Sequence, residues 1–177
     1  MSIEALRAKL PDYAKDLRLN LSSVMTAPAL TPRQAWGTAL ASAIASRNAE
    51  VIAAVANDAA PHLDQSAEPA ARAAAAIMSM TNIYYRFTHL ASAKDYETMP
   101  ARLRMNVIAS PGVEPLDFAL WCLAVSAING CGRCIDAHEK EAVAVGASRE
   151  AVQSVVRIAS VIHAVAVTLG AEQKLAA

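Results

Sequence analysis

"LWCLAVSAINGCGRCIDAHEK", Leu120 to Lys140, changes character at its middle. Up to Ile128 it is apolar at almost every position, with none of the period-two alternation of a half-buried strand. Asn129-Gly130 is a helix stop. From Cys131 a second segment, "CGRCIDAHEKEAVAVG", runs at helical spacing until Gly146 stops it. Ser148 is then placed to cap a third helix, "SREAVQSVVRIASVIHAVAVTLG". Helix, glycine stop, helix, cap, helix is the grammar of an all-α unit.

The same grammar holds upstream. "IEALRAKLPDYAKDLRLNLSSVM" alternates apolar and charged residues at helical spacing and breaks at Pro11. Thr31 is placed as an N-cap with Pro32 at the first helical position of "PRQAWGTALASAIAS". "AEVIAAVANDAA" stops near Pro61, and "EPAARAAAAIMSMTNIYYRFTHLAS" runs long. "SPGVEPLDF", Ser110 to Phe118, with two prolines and a glycine, reads as the linker of the chain. Hydrophobic residues make up 55% of the 177 but aromatics only 5%, the excess being alanine, the best helix former. The expected fold class is all-α.

Formal net charge is zero, from 16 Lys+Arg against 16 Asp+Glu. No basic stripe suits a nucleic acid, and no Lys/Arg cluster suits a membrane surface. Zero charge with high hydrophobicity fits a chain that hides surface in an oligomer. The N-terminal residues lack an apolar signal core, and Arg157 and His163 interrupt the most apolar run, so the expectation is a cytoplasmic protein without a membrane span. In that compartment thiols are kept reduced, and a close cysteine pair is catalytic or metal-binding more often than structural.

A faint internal repeat is visible. "AWGTALASAIASRN" around Trp36 resembles "LWCLAVSAINGCGR" around Trp121, 85 residues later, and each precedes a shorter and then a longer helix. Two related halves are expected, residues 1–110 without reactive cysteines and 111–177 with them. Ser46 and Ala49 then stand where Cys131 and Cys134 stand in the second half.

Cys131 comes directly after a glycine stop and so lies at the start of a helix, whose N-terminal field favours thiolate over thiol. Cys134 is at i+3 from it and His138 at i+4 from Cys134, on one face. The two sulfurs can close a disulfide within one turn, and the imidazole can take or hold a thiol proton, directly or through one water. Three readings stand open on spacing: thiol redox catalysis, a zinc site of two thiolates and an imidazole, or inert buried cysteines beside an exposed histidine. The zinc reading lacks a fourth ligand, since no second CxxC or HxxxH occurs.

The run Leu120–Lys140, together with "RLRMNVIASPGV" (Arg102–Val113) and "MSIEALRAKLPDYAKDLRLNLSSV" (Met1–Val24), resembles the AhpD-type alkylhydroperoxidases of the carboxymuconolactone-decarboxylase-like superfamily over nearly the whole chain. The resemblance implies an all-helical fold of two similar halves assembled as a homotrimer. It implies an antioxidant peroxidase with no bound cofactor, whose dithiol is oxidised by alkyl hydroperoxides and reduced by dihydrolipoamide. The lipoyl group would belong to a 2-oxoacid dehydrogenase subunit recharged from NADH, and electrons could pass on to the peroxiredoxin AhpC. The family roles fall on Cys134 as the attacking thiol that becomes a sulfenic acid, Cys131 as proton donor and resolving thiol, and His138 as proton relay.

Two positions depart from the family pattern. A relay glutamate is expected twelve residues before the first cysteine, where this chain has Ala119. On sequence alone, turnover is expected to be about ten- to a thousand-fold below that of an Ala119→Glu form, the usual range for losing acid–base help. Asp117, Glu114, Asp136 and Glu139 are the nearby carboxylates considered as replacements. Asp117 and Asp136 both face the wrong side of their helices. The second departure is Arg133, where some relatives carry histidine; it favours thiolate but cannot shuttle protons. The missing glutamate keeps an alternative in view, a non-catalytic or metal-binding module on the same fold. Of the remaining candidates, Trp36 and Trp121 are expected as core anchors, Cys122 as a small core hydrophobe, His163 as a satisfied core histidine, and His62 and His89 as surface or structural. "NIYYRF" (Asn82–Phe87) is expected at a core or subunit interface rather than at a ligand site.

Overall fold

The computed structural model describes residues 1–176. In chain order the helices are α1 Ile3–Lys9, α2 Lys15–Ser23, α3 Pro32–Ser46, α4 Ala49–Ala59, α5 Ala67–Leu90, the single turns α6 Asp95–Thr98 and α7 Asn106–Ala109, then α8 Pro115–Ile128, α9 Gly132–Ala144 and α10 Arg149–Leu175. Short 3-10 turns flank α2, and no strand occurs among the described residues. The all-α expectation holds.

The helix starts obey local chemistry. The Thr31 side chain accepts from the Gln34 N–H while the Gln34 side chain accepts from the Thr31 N–H, a reciprocal capping box ahead of Pro32. Ser148 accepts from the Ala151 N–H at the start of α10. The expected linker is shorter than its prolines suggest. Pro115 occupies the first turn of α8, as Pro32 does in α3, so the irregular segment ends at Glu114 and Asp117 and Phe118 are buried inside the helix. Asp117 accepts from Arg33 Nε (2.8 Å) and Gln34 Nε2 (2.9 Å), tying the starts of α8 and α3 together.

α3 and α8 are apolar nearly all round, which marks central helices. They pack against each other, and each also packs against both long helices, α5 and α10. α4 returns along α3, and α9 along α8. α10 has the length and apolarity of a membrane-crossing helix, but here it packs against α3 and α8 with Val155, Ile158, Ile162 and Val165 fully buried.

The α3–α8 crossing depends on one glycine. Trp121, fully buried, lays its indole against Gly37, where a Cβ would overlap the ring, and its Nε1–H donates to the Gln34 carbonyl (3.3 Å). Gly37→Ala must push the indole or the helix aside and is expected to lower stability by about 1–3 kcal/mol, the range for overpacking. Denaturant unfolding checks this; an unchanged midpoint would show that α3 and α8 can part without loss.

The caps of α3–α4 and α8–α9 recur at one spacing. A left-handed residue follows each helix, Arg47 directly after α3 and Gly130 two residues after the end of α8 (φ 61° and 67°), 83 residues apart. Asn48 then caps α4 as Cys131 caps α9. At that 83-residue offset Cys131 and Cys134 align with Asn48 and Val51, whereas the 85-residue sequence match aligns them with Ser46 and Ala49. Trp36 accordingly does not correspond to Trp121. It is half-buried, packs against the edge of the core and stacks on His62 (ring centroids 5.1 Å apart), whereas Trp121 is fully buried within the core.

Candidate active site

The site is built at the α8–α9 corner. Gly130 takes the left-handed conformation that ends α8 without a Cβ penalty and turns the chain into α9. Cys131 sits at the N-cap, and its Sγ accepts from the Cys134 N–H (3.3 Å). Sulfur thus holds the place a serine or aspartate oxygen would take, at the positive end of the helix. Cys131 and Cys134 are joined as a disulfide, Cα to Cα 5.3 Å. Cys131 is 0% exposed and Cys134 6%, so Cys134 is the sulfur nearer to solvent.

His138, one turn further on, is 8% exposed. Its Nδ1 lies 3.2 Å from Glu141 Oε2. Burial pushes the imidazole below the usual histidine pKa, and the Glu141 carboxylate opposes part of that shift. Cys134 and His138 open on a cavity of about 290 Å³, lined otherwise by Met78, Thr81 and Tyr85 of α5, Met105 and Ile108 at α7, and Arg133 and Ala137 of α9. The walls are mainly apolar. The Arg133 guanidinium stands over the Tyr85 ring, 5.4 Å from its centroid, and Tyr85 Oη reaches Met105 Sδ (3.7 Å).

α5 clamps the corner from behind. Buried Asn82 donates to Ser126 Oγ and accepts from Asn129 Nδ2, both at 3.0 Å. Arg86 Nη1 donates to the Asn129 carbonyl (2.6 Å), and the Cys131 N–H donates to the Ser126 carbonyl (3.1 Å). The turn that presents the two sulfurs is therefore held by side chains from α5.

Comparison with known proteins is consistent across the chain. A model of the carboxymuconolactone decarboxylase family matches residues 94–176, from just before α6 through α10. The chain is 59% identical over 175 residues to a protein of Rhodospirillum centenum named alkyl hydroperoxide reductase AhpD, covering 99% of this chain and 94% of that one. It is 58% identical over 171 residues to the protein of that name from Brucella abortus (97% and 98% covered) and 57% identical over 173 residues to that of Methylocella silvestris (98% and 97% covered). This chain belongs to the AhpD-type alkylhydroperoxidases.

Within this AhpD-type frame, Cys131, Cys134 and His138 come together on one face. Ala119 is buried in α8. None of the replacement carboxylates considered from sequence is bonded to His138. Asp117 is held by Arg33 and Gln34, Asp136 pairs with Lys140 on the outer face of α9 (2.9 Å), and Glu114 is exposed ahead of α8. Glu141, not foreseen, is the one that reaches the imidazole. Its signal was available: it is at i+3 from His138, the spacing that joins Cys131 to Cys134. Within "NIYYRF", Tyr85 lines the cavity, Asn82 is buried, and Ile83 and Phe87 are exposed. Met78, Thr81, Met105 and Ile108 carried no local signal, because they reach the site only through tertiary packing. Cys122 is buried as expected, and burial pushes its thiol far above the usual range. His163 is satisfied by Ser46 (3.2 Å) away from this cavity. Among the described residues no group of three or more His, Cys, Asp or Glu is placed to hold a metal ion.

Proposed function

We propose that this chain is an alkyl hydroperoxide reductase in which Cys131 and Cys134 cycle between dithiol and disulfide. The observation that carries the reading is the placement of the pair, with Cys134 and His138 facing one apolar-walled cavity and Cys131 buried as the helix cap. The relatives' shared name, alkyl hydroperoxide reductase AhpD, supports the same activity.

His138 takes the Cys134 thiol proton, and the Cys134 thiolate attacks the terminal peroxide oxygen. The O–O bond breaks, and the alkoxide leaves as alcohol with the Cys131 proton. Cys134 is then a sulfenic acid. The Cys131 thiolate attacks its sulfur, and hydroxide leaves as water with the proton held by His138. Two thiols and one hydroperoxide give one disulfide, one alcohol and one water, with His138 restored to its neutral form. No bound cofactor is needed, because the O–O bond is weak and thiolate is a sufficient nucleophile. For reduction, a dihydrolipoamide thiolate attacks the more accessible Cys134 sulfur. Cys131 leaves as a thiolate stabilised by the Cys134 N–H and the helix terminus, and the second lipoyl thiol closes the lipoyl disulfide, freeing Cys134.

The donor in this proposal is a lipoyl-bearing 2-oxoacid dehydrogenase subunit in the cytoplasm, and the downstream acceptor is the peroxiredoxin AhpC. The exposed apolar stripe Ile83, Phe87 and Leu90 on α5 suits burial in the proposed homotrimer. Mass spectrometry after stoichiometric cumene hydroperoxide tests the reading. The expected result is a loss of two hydrogens mapped to Cys131–Cys134 and reversed by dihydrolipoamide. Zinc retained on purification, with both thiols shielded from alkylation, would overturn it in favour of a metal-binding module.

A further inference from the structure

We propose that Glu141 is the positioning carboxylate of the dithiol site, holding His138 and connecting it to solvent in place of the glutamate absent at Ala119. The inference rests on the peroxidase reading for its kinetic consequences but not for its geometry. Glu141 Oε2 is 3.2 Å from His138 Nδ1, and His138 is its only hydrogen-bond or ion-pair partner among the described residues. A carboxylate can only accept, so Nδ1 carries the proton and Nε2 keeps the lone pair that a thiol proton needs. The orientation of the imidazole and its tautomer are thus set by one residue on the same helix.

Glu141 is on α9, which packs along α8, the helix that carries Ala119. Its charge is felt at Cys122 on α8, where it raises the thiol pKa beyond the effect of burial. Cys122 is three residues from Ala119 and shares its helix face. The Glu141 side chain is 46% exposed whereas that of His138 is 11%, so the carboxylate spans the distance from the buried imidazole to water. That is what a proton leaving the site requires. The titratable groups lining the cavity are Tyr85 from α5 and Arg133, Cys134 and His138 from α9, and none of these is a carboxylate.

The test uses the full-length protein in its reduced form with E141Q, E141A and the conservative E141D. Two-bond 1H–15N spectra of His138 read the tautomer without any peroxide. The Nδ1–H form is expected in the wild type and E141D, and a mixture with the Nε2–H form in E141Q and E141A. Stopped-flow oxidation by tert-butyl hydroperoxide is expected to slow about ten- to a hundred-fold in E141Q, within the usual range for acid–base help, with the acid limb displaced to lower pH. E141D should retain most of the rate. Ala119→Glu in the otherwise native chain should then raise turnover less than about ten-fold, because His138 already has its carboxylate. An unchanged tautomer and an unchanged pH profile in E141Q, or a larger gain from Ala119→Glu, would overturn the proposal. If the wild type itself forms no disulfide with hydroperoxide, the peroxidase reading fails while the spectra still decide the role of Glu141.

Discussion

Cys134→Ser loses hydroperoxide reduction by a factor on the order of a thousand or more, whereas Cys131→Ser retains a single turnover. The difference comes from access and from what each sulfur leaves behind. Cys134 shares the apolar cavity with His138, so it is the sulfur a peroxide can meet. A serine hydroxyl there has no thiolate form near neutral pH, and nothing else in the cavity can take an oxygen from the substrate by thiolate attack. Cys131 is buried at the helix cap, and its removal leaves the first step but deletes the group that expels water. The sulfenic acid on Cys134 should therefore accumulate in Cys131→Ser and be trapped by dimedone, with one adduct per chain by mass. Serine also caps helices well, so the substitution should not unfold α9. Rapid-quench measurement of alcohol formed per chain separates the two variants: close to none for Cys134→Ser, close to one equivalent for Cys131→Ser. The reverse pattern would exchange the roles of the two cysteines.

The same two residues show why part of this molecule could be read from its sequence. Cys131, Cys134 and His138 lie within two turns of one helix, and Gly130 ahead of them is a stop with a mechanism. Local rules suffice at that range. Thr31, Pro32 and Ser148 were legible for the same reason, since a cap satisfies the backbone next to it. Pro115 misled because proline is both a helix breaker and a good first-turn residue, and the residues after it decide between the two. The 85-residue match differs by two from the 83-residue spacing of the caps, because alanine-rich helices match almost equally well at several offsets. The first-turn prolines Pro32 and Pro115 and the left-handed residues Arg47 and Gly130 each lie 83 residues apart, but Pro115 also reads as a linker residue and arginine is not a residue that announces a left-handed conformation. The cavity wall was out of reach altogether. Met78, Tyr85 and Met105 come to Cys134 from α5 and the segment before α7, positions that only packing brings together. Glu141 is the instructive case. The family pattern directs attention upstream to Ala119, while the i+3 rule applied to His138 would have pointed one turn downstream.

His138→Ala is expected to slow peroxide reduction by about a hundred- to ten-thousand-fold, the range for a positioned acid–base group, with its pH dependence as the diagnostic. The imidazole is useful as a base only when neutral. Burial lowers its pKa and Glu141 recovers only part of the shift, so the neutral form persists below the ordinary histidine value of about 6.5. The acid limb of the single-turnover rate should therefore have its midpoint below that value and be absent from His138→Ala. The same shift has a consequence for stability, and its sign is fixed by linkage. Between the ordinary pKa and the lowered one, the unfolded chain binds a proton at this residue that the folded chain does not. The contribution of His138 to stability is thus fully present above about 6.5 and is lost as pH falls through the folded value. Denaturant unfolding at pH 7.5 and pH 5 should show a larger acid loss in the native protein than in His138→Gln, which cannot protonate. An acid limb above pH 7, with a smaller acid loss in the native protein than in His138→Gln, would overturn this and mean that the buried imidazole is charged at neutral pH. Glu141 would then be acting as its counter-ion, and the proton for the leaving alkoxide would already be in place on His138 before the peroxide arrives.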